Sequence, residues 1–219
     1  MTNFVYLASQ SPRRRQLLDQ LGVRHELLLP DPEEDTESLE VRLLNEAPAS
    51  YVRRVTGLKL DAAVARLKNR KLPFAPILCA DTTVALGRRI FGKPESATDA
   101  RLILRELAGE THRVLTAVAV QGMSAGQKRS NLRFEAMSTS RVSFEAITDA
   151  QIRAYVATGE PVGKAGAYAV QGRFAMHINR MSGSSVASWD FRFGKPPNFC
   201  VRPASKSSDQ DSTTCNKTS

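Results

Sequence analysis

Apolar positions along the chain follow two periods, and they alternate between them. Phe4-Val5-Tyr6-Leu7-Ala8 is an unbroken apolar run that predicts a short buried strand. Ser9-Gln10-Ser11-Pro12 then turns into a helix: Ser11 suits the cap, Pro12 the first helical position, Leu17, Leu18 and Leu21 the buried stripe, and Gly22 the end. His25 to Leu29 predicts a second strand. Asp31 to Leu43 is acidic and without period, which predicts a surface loop. Ala47 to Leu67 has the spacing of a long amphipathic helix, and Ala75 to Leu86 that of a strand interrupted at Asp81-Thr82-Thr83. Beyond these, helices are predicted over Ala97 to Leu107 and Asp149 to Thr158. Paired strands are predicted over Thr111 to Gln121 and Ser138 to Phe144, and a last strand over Ala167 to Arg180. Strands interleaved with helices, and at least one hairpin, imply an α/β fold: a mixed twisted sheet flanked by helices.

The pattern changes near Trp189. From Lys195 to Ser219 the chain is rich in Pro, Ser, Thr, Lys and Asp and has no apolar face, which predicts a disordered tail. We therefore divide the chain into a domain over residues 1–188 and an anomalous tail over 189–219. A length of 219 residues is enough to bury one substantial core. No stretch is apolar and long enough to span a membrane, and the N-terminal residues lack the order of a secretory signal. Cys79, Cys200 and Cys215 form no CxxC pair, against both a disulfide scaffold and a structural zinc site, so the cytoplasm is the expected compartment. The net charge of +9 favours polyanionic partners. Nucleic acid fits less well than nucleotides, because aromatic residues are only 6% and do not interleave with a basic face.

Several segments carry candidate chemistry. Arg13 and Arg14 follow Ser9-Gln10-Ser11-Pro12 in the first turn of a helix, where the dipole disfavours cations unless an anion docks there; the alternative is a capped helix with solvated arginines. Asp81 ends the apolar run Ile77-Leu78-Cys79-Ala80, so it either meets a cation or closes an Asp-Thr turn. Glu33-Glu34 is a metal-holding pair or a solvated charge run. Lys59 on the long helix and Lys93 in Phe91-Gly92-Lys93-Pro94 are phosphate ligands or surface lysines. The glycine-punctuated segment from Gly163 to Gly172 allows close backbone approach to a ligand but lacks P-loop spacing. His112 and His177 have no partners at metal-ligand spacing and read as structural.

The order of these pieces, Ser9-x-Ser11-Pro12-Arg13-Arg14, Glu33-Glu34, Lys59, Asp81-Thr82-x-Val84, Lys93-Pro94, Thr111-His112-x-Val114-x-Thr116-Ala117-Val118 and Lys164-Ala165-Gly166-Ala167-Tyr168-x-x-Gln171-Gly172, resembles the Maf-like nucleotide pyrophosphatases over roughly residues 4 to 185. The resemblance implies two lobes around a nucleotide cleft, related to inosine triphosphate pyrophosphatases, and hydrolysis of a nucleoside triphosphate to monophosphate and pyrophosphate. It implies Asp81 as general base, Ser9, Arg13, Arg14, Lys59, Thr82, Lys93 and Gln171 as substrate-binding residues, and Glu33, Glu34 and Asp81 around Mg²⁺ or Mn²⁺. Arg13, Thr82 and Gln171 look like the dTTP/UTP branch; the branch acting on 7-methyl-GTP tends to carry Trp, Gln and Glu there. A nucleotide-binding regulator of septum formation without turnover is the non-enzymatic alternative. No membrane or nucleic-acid partner is implied, and a homodimer is compatible.

After Ser182-Gly183-Ser184 the family normally continues into a Gly-Leu-Pro segment and a final amphipathic helix, which this chain lacks. One permitted set of codons for Val186 to Val201, read in another frame, gives GIMGLPLWETAQLLR, which has both features. The single codon of Trp189 supplies the Met-Gly step. A frameshift near Ser185 is the expectation that follows; the alternative is a divergent natural tail.

Overall fold

The computed structural model describes residues 3–36, 38–122 and 132–183; the tail and the frameshift expectation, with Cys200 and Cys215, lie outside them. Fourteen elements reduce to one sheet and four helices. The strands are β1 (Val5–Leu7), β2 (His25–Leu27), β3 (Ile77–Leu86), β4 (Arg89–Phe91), β5 (Thr111–Gln121), β6 (Arg133–Phe144) and β7 (Ile178–Ser182); the helices are α1 (Pro12–Gln20), α2 (Pro48–Asn69), α3 (Ala97–Leu107) and α4 (Asp149–Ala157). The sheet order is β2-β1-β3-β5-β6-β7, with β4 paired to β3 alone. β1 is parallel to both β2 and β3, and the rest is antiparallel, so the sheet is mixed as the pattern predicts.

Alternation along β3 decides what each face carries. Ile77, Cys79 and Ala85 pack beneath α2, with Leu60, Ala63, Val52 and Val55 from the helix and Leu115, Ala117 and Ala119 from β5. Leu78 and Ala80 face the other way, against Leu18 of α1, and Val84 joins α3 and α4 in a cluster with Phe144, Tyr155, Tyr168 and Phe174. Each face therefore has its own apolar layer, and burial of large side chains at about 1.5–3 kcal/mol apiece is what holds the helices on.

Three local expectations are corrected. β3 is not interrupted at Asp81-Thr82-Thr83: these residues pair with Ala117, Thr116 and Leu115 of β5, and β-branched threonines suit that pleated position. β4 occupies Arg89–Phe91, where no strand is predicted. Residues 167–177 are not strand: two short 3₁₀ turns, Ala165–Ala167 and Arg173–His177, are joined by irregular backbone over 168–172, with strand only from Ile178. Gly163, Gly166 and Ala167 all have positive φ, which breaks a ladder, and the apolar residues there bury themselves by aromatic packing instead.

Candidate active site

The site forms where the sheet splits. β1 pairs with β3 only to Leu7↔Leu78, followed by the Ala8 N–H to Leu78 O bond of 2.9 Å; β4 pairs with β3 only from Val84↔Phe91 onward. Between these two partners, the edge of β3 that faces away from β5 has no neighbouring strand over residues 80–83 among the described residues. Side chains from five segments gather around that gap.

The β1–α1 turn forms one bank. Arg14 is 8% exposed, and its Nη1 donates to Ser9 Oγ at 2.9 Å and to Ala80 O at 2.7 Å. The Ser11 N–H also donates to Ser9 Oγ, at 3.2 Å. Ser9 and Arg14 thus bolt the turn to the backbone just before Asp81. Arg13, one residue earlier on the helix, is half-buried and close enough to Lys164 for its charge to depress the lysine. Burial is the larger cause of that depression. The opposite bank is the Gly92–Pro94 turn. The Gly166 N–H donates to Gly92 O at 3.0 Å, and a Cβ on Gly166 would lie 2.8 Å from Val84, so only glycine fits there.

The floor is charged. Asp81 projects to the α2 face, where its Oδ1 accepts from Lys59 Nζ at 2.6 Å. The same ammonium donates to Glu40 Oε1 at 2.8 Å, and Lys93 Nζ reaches that Glu40 oxygen at 3.4 Å. Glu40 ends a 3₁₀ turn, Ser38–Glu40, and its carbonyl accepts from Tyr51 Oη of α2 at 3.0 Å. Burial would push the Glu40 carboxyl up, but the Lys59 and Lys93 ammoniums outweigh it and hold the group below the usual carboxylate range. Lys59 is likewise disfavoured as a cation by burial, yet Asp81 and Glu40 raise it above its ordinary value. Glu40 and Lys59 therefore each keep their charge at neutral pH. On the reverse face of β3, Thr82 and Thr116 share a hydroxyl hydrogen bond of 3.1 Å. Cys79 is buried and its thiol is pushed up to about 12 by that burial, so it is no nucleophile.

Asp81, Lys59 and Lys93 are thus brought to one centre, with Ser9 and Arg14 fixed beside it. Gln171 is exposed on the segment that leads out of the Gly166 turn. Glu33 and Glu34 are not gathered with Asp81. Glu34 is clamped by Arg66, whose Nη2 lies 2.6 Å from Oε2 and Nε 2.8 Å from Oε1, and Glu33 is exposed. Among the described residues no three His, Cys, Asp or Glu side chains group to hold a metal ion. Sequence reasoning missed Glu40, Tyr51 and Arg66. Glu40 lies in an acidic loop 41 residues from Asp81, and nothing in its spacing separates it from its neighbours.

Against known proteins, residues 4–187 match the family model described as Maf-like protein. A protein of Albidiferax ferrireducens named dTTP/UTP pyrophosphatase is 64% identical over 184 residues, covering 84% of this chain and 88% of that one. A Polaromonas protein of the same name is 63% identical over 182 residues, covering 83% of this chain and 87% of its own. Among solved structures, a nucleoside-triphosphatase / dITP/XTP pyrophosphatase of Mycobacterium abscessus is similar at a TM-score of 0.40 and 14% identity, over 64% of this chain and 73% of its own. That likeness is too distant to bear on the site.

Proposed function

The chain belongs to the Maf-like protein family, and on that footing we propose that it hydrolyses dTTP and UTP to the monophosphate and pyrophosphate by attack of water at the α-phosphorus. The observation that carries the reading is the Asp81–Lys59 pair at the split in the sheet, 2.6 Å apart, with Lys93 joined to Lys59 through Glu40 and Arg13 in the first turn of α1. Phosphoryl transfer asks the protein mainly for position and for positive charge where negative charge develops. Lys59, Lys93 and Arg13 supply that charge. Ser9 and Arg14 act behind them, holding the β1–α1 turn against Ala80. Asp81 accepts the proton of the attacking water, and the Lys59 contact fixes its carboxylate. Thr82 and Gln171 offer neutral donors and acceptors suited to a pyrimidine edge.

A divalent cation fits this donor set. Asp81 is a half-buried carboxylate whose Oδ2 receives no hydrogen bond from the described residues, and Mg²⁺ or Mn²⁺ is commonly held by one or two carboxylates with substrate phosphates completing the shell. Bound there, the cation would neutralise charge on the phosphoryl oxygens. Glu34, with both oxygens on Arg66, is a less suitable ligand than the sequence implies. Among the described residues no helix is long and apolar enough to cross a membrane; we place the enzyme in the cytoplasm on its cysteine usage.

The deciding experiment is pyrophosphate release with Mg²⁺ or Mn²⁺ across dTTP, UTP, 7-methyl-GTP and the other common triphosphates. Preferential turnover of dTTP and UTP is the expected result. Preferential turnover of 7-methyl-GTP would move the chain to the other branch, and dTTP binding without release would make it a non-catalytic regulator. The proposal of a frameshift near Ser185 is supported by the family match ending at residue 187 while the chain runs on to 219. Resequencing tests it: codons that yield no Gly-Leu-Pro peptide in any other frame would end it.

A further inference from the structure

We propose that Glu40 is a built-in competitor for the phosphate site, which sets how many negative charges a ligand needs in order to hold the Lys59–Lys93 pair. The inference rests on the reading above, in which these lysines receive the triphosphate. The two ammoniums meet on a single oxygen, Glu40 Oε1, at 2.8 and 3.4 Å. Lys59 spends a further donor on Asp81 at 2.6 Å. A phosphate oxygen bridging both lysines needs the position that Glu40 Oε1 holds. Ligand and side chain therefore exclude one another there, and Glu40 stands in for the phosphate in the free protein.

Glu40 is mounted to be displaced. It comes from the 31–46 connection and not from a strand or long helix, and its backbone is tied to α2 through the Tyr51 hydroxyl at 3.0 Å. Its carboxylate is the anionic partner of Lys93, whose side chain is 56% exposed and free to turn outward. Arg42, two residues on, lies 3.7 Å from where a Cβ on Gly92 would stand, so the same connection also brings a cation over the Gly92–Lys93 turn.

The consequence is discrimination by charge. A carboxylate carries one negative charge and is already in place, so a ligand must offer more to displace it. A triphosphate does. A nucleoside monophosphate, with at most two charges on one group, exceeds the carboxylate by the smallest margin, and product release is favoured by the returning carboxylate. Glu40 therefore weakens the product more than the substrate.

The test compares the full chain with Glu40→Gln, which keeps the shape and an acceptor but removes the charge. The probes are dTMP and inorganic pyrophosphate by calorimetry, and the KM and kcat for dTTP. We expect dTMP to bind about tenfold more tightly to the variant, with KM for dTTP changed less than threefold and kcat lowered as release slows. Tyr51→Phe, which frees the backbone anchor of Glu40 and leaves its charge in place, should move dTMP affinity the same way by a smaller factor. Unchanged or weaker dTMP binding in both variants, with melts like that of the parent, would overturn the proposal. Calorimetry needs no turnover, so failure of the parent to hydrolyse dTTP would count against the pyrophosphatase reading and leave the binding comparison intact.

Discussion

Two regions of this molecule bury ionisable groups, and they treat them in opposite ways. At the split in the sheet, Lys59 and Glu40 remain charged because each faces an opposite charge within hydrogen-bond distance. In the aromatic cluster on the other face, His112 is 1% exposed, its Nε2 meets Tyr168 Oη at 2.7 Å, and its Nδ1 has no partner among the described residues. Phe144 and Tyr168 rings stand edge-on to it at 4.5 and 5.4 Å. Burial without a counter-charge pushes its pKa down to about 4, so it is neutral at neutral pH. The lesson is that burial alone silences a titratable side chain, whereas burial among counter-charges readies one for chemistry. His112 has no counter-charge beside it, whereas Lys59 has two.

The largest expected break in this contrast is Asp81→Asn. Turnover of dTTP should fall by about 10²–10⁴, as for loss of a general base, while the melting temperature stays within a few degrees, because Lys59 keeps Glu40. Pyrophosphate release and a thermal melt of one preparation check both halves, and full activity in the variant would remove Asp81 from the mechanism. Phe174→Ala should do the reverse. That ring is fully buried and contacts Phe144, Tyr155, Tyr168 and His177. The cavity should cost about 3–5 kcal/mol, a drop of roughly 10 °C in melting temperature for a chain of this size, with kcat per folded molecule nearly unchanged.

Acid sharpens the comparison. His112 binds its proton less readily folded than unfolded, so the unfolded chain takes up more protons between the ordinary histidine pKa and about 4. Stability should therefore decline as pH falls from about 6.5 toward 4, by roughly 1.4 kcal/mol per unit from this residue. Urea melts of the parent at pH 7 and 5 should show the decline, and His112→Asn should flatten it. An equal slope in the variant would assign the loss to other groups. The smallest effect is expected at Arg13, where Ala should reduce kcat/KM for dTTP about tenfold. Lys should restore only part of it, since an ammonium cannot fork onto two phosphate oxygens; equal activity of the Lys variant and the parent would show that a point charge suffices.

The sequence pattern was most legible where one period ran long. α2, α3 and β5 stand within a residue or two of their predicted ends, since ten or more residues share one buried face. It misled where burial had another source. Ala167 to Val170 looks like strand because its residues are apolar, but Tyr168 is buried by rings and not by a ladder. Asp81-Thr82-Thr83 looks like a break because it is polar, yet it lies inside β3, paired to β5 throughout. Asp81, Lys59 and Lys93 could be singled out, as isolated charges in ordered surroundings. Their meeting point on Glu40 could not, because it depends on a connection whose acidic residues are alike in sequence and differ only in what the fold sets against them.

The open edge of β3 bears on how this sheet breathes. A strand pinned on both sides normally frays from its ends, and its central amides are the last to trade hydrogen for deuterium. Here the ends are the doubly flanked parts, by β1 at Leu78 and β4 at Val84. Of residues 80–83, the alternate amides turned away from β5 have no strand beside them among the described residues, so isotope exchange along β3 should begin at its middle and move outward, with bound nucleotide slowing those central amides first.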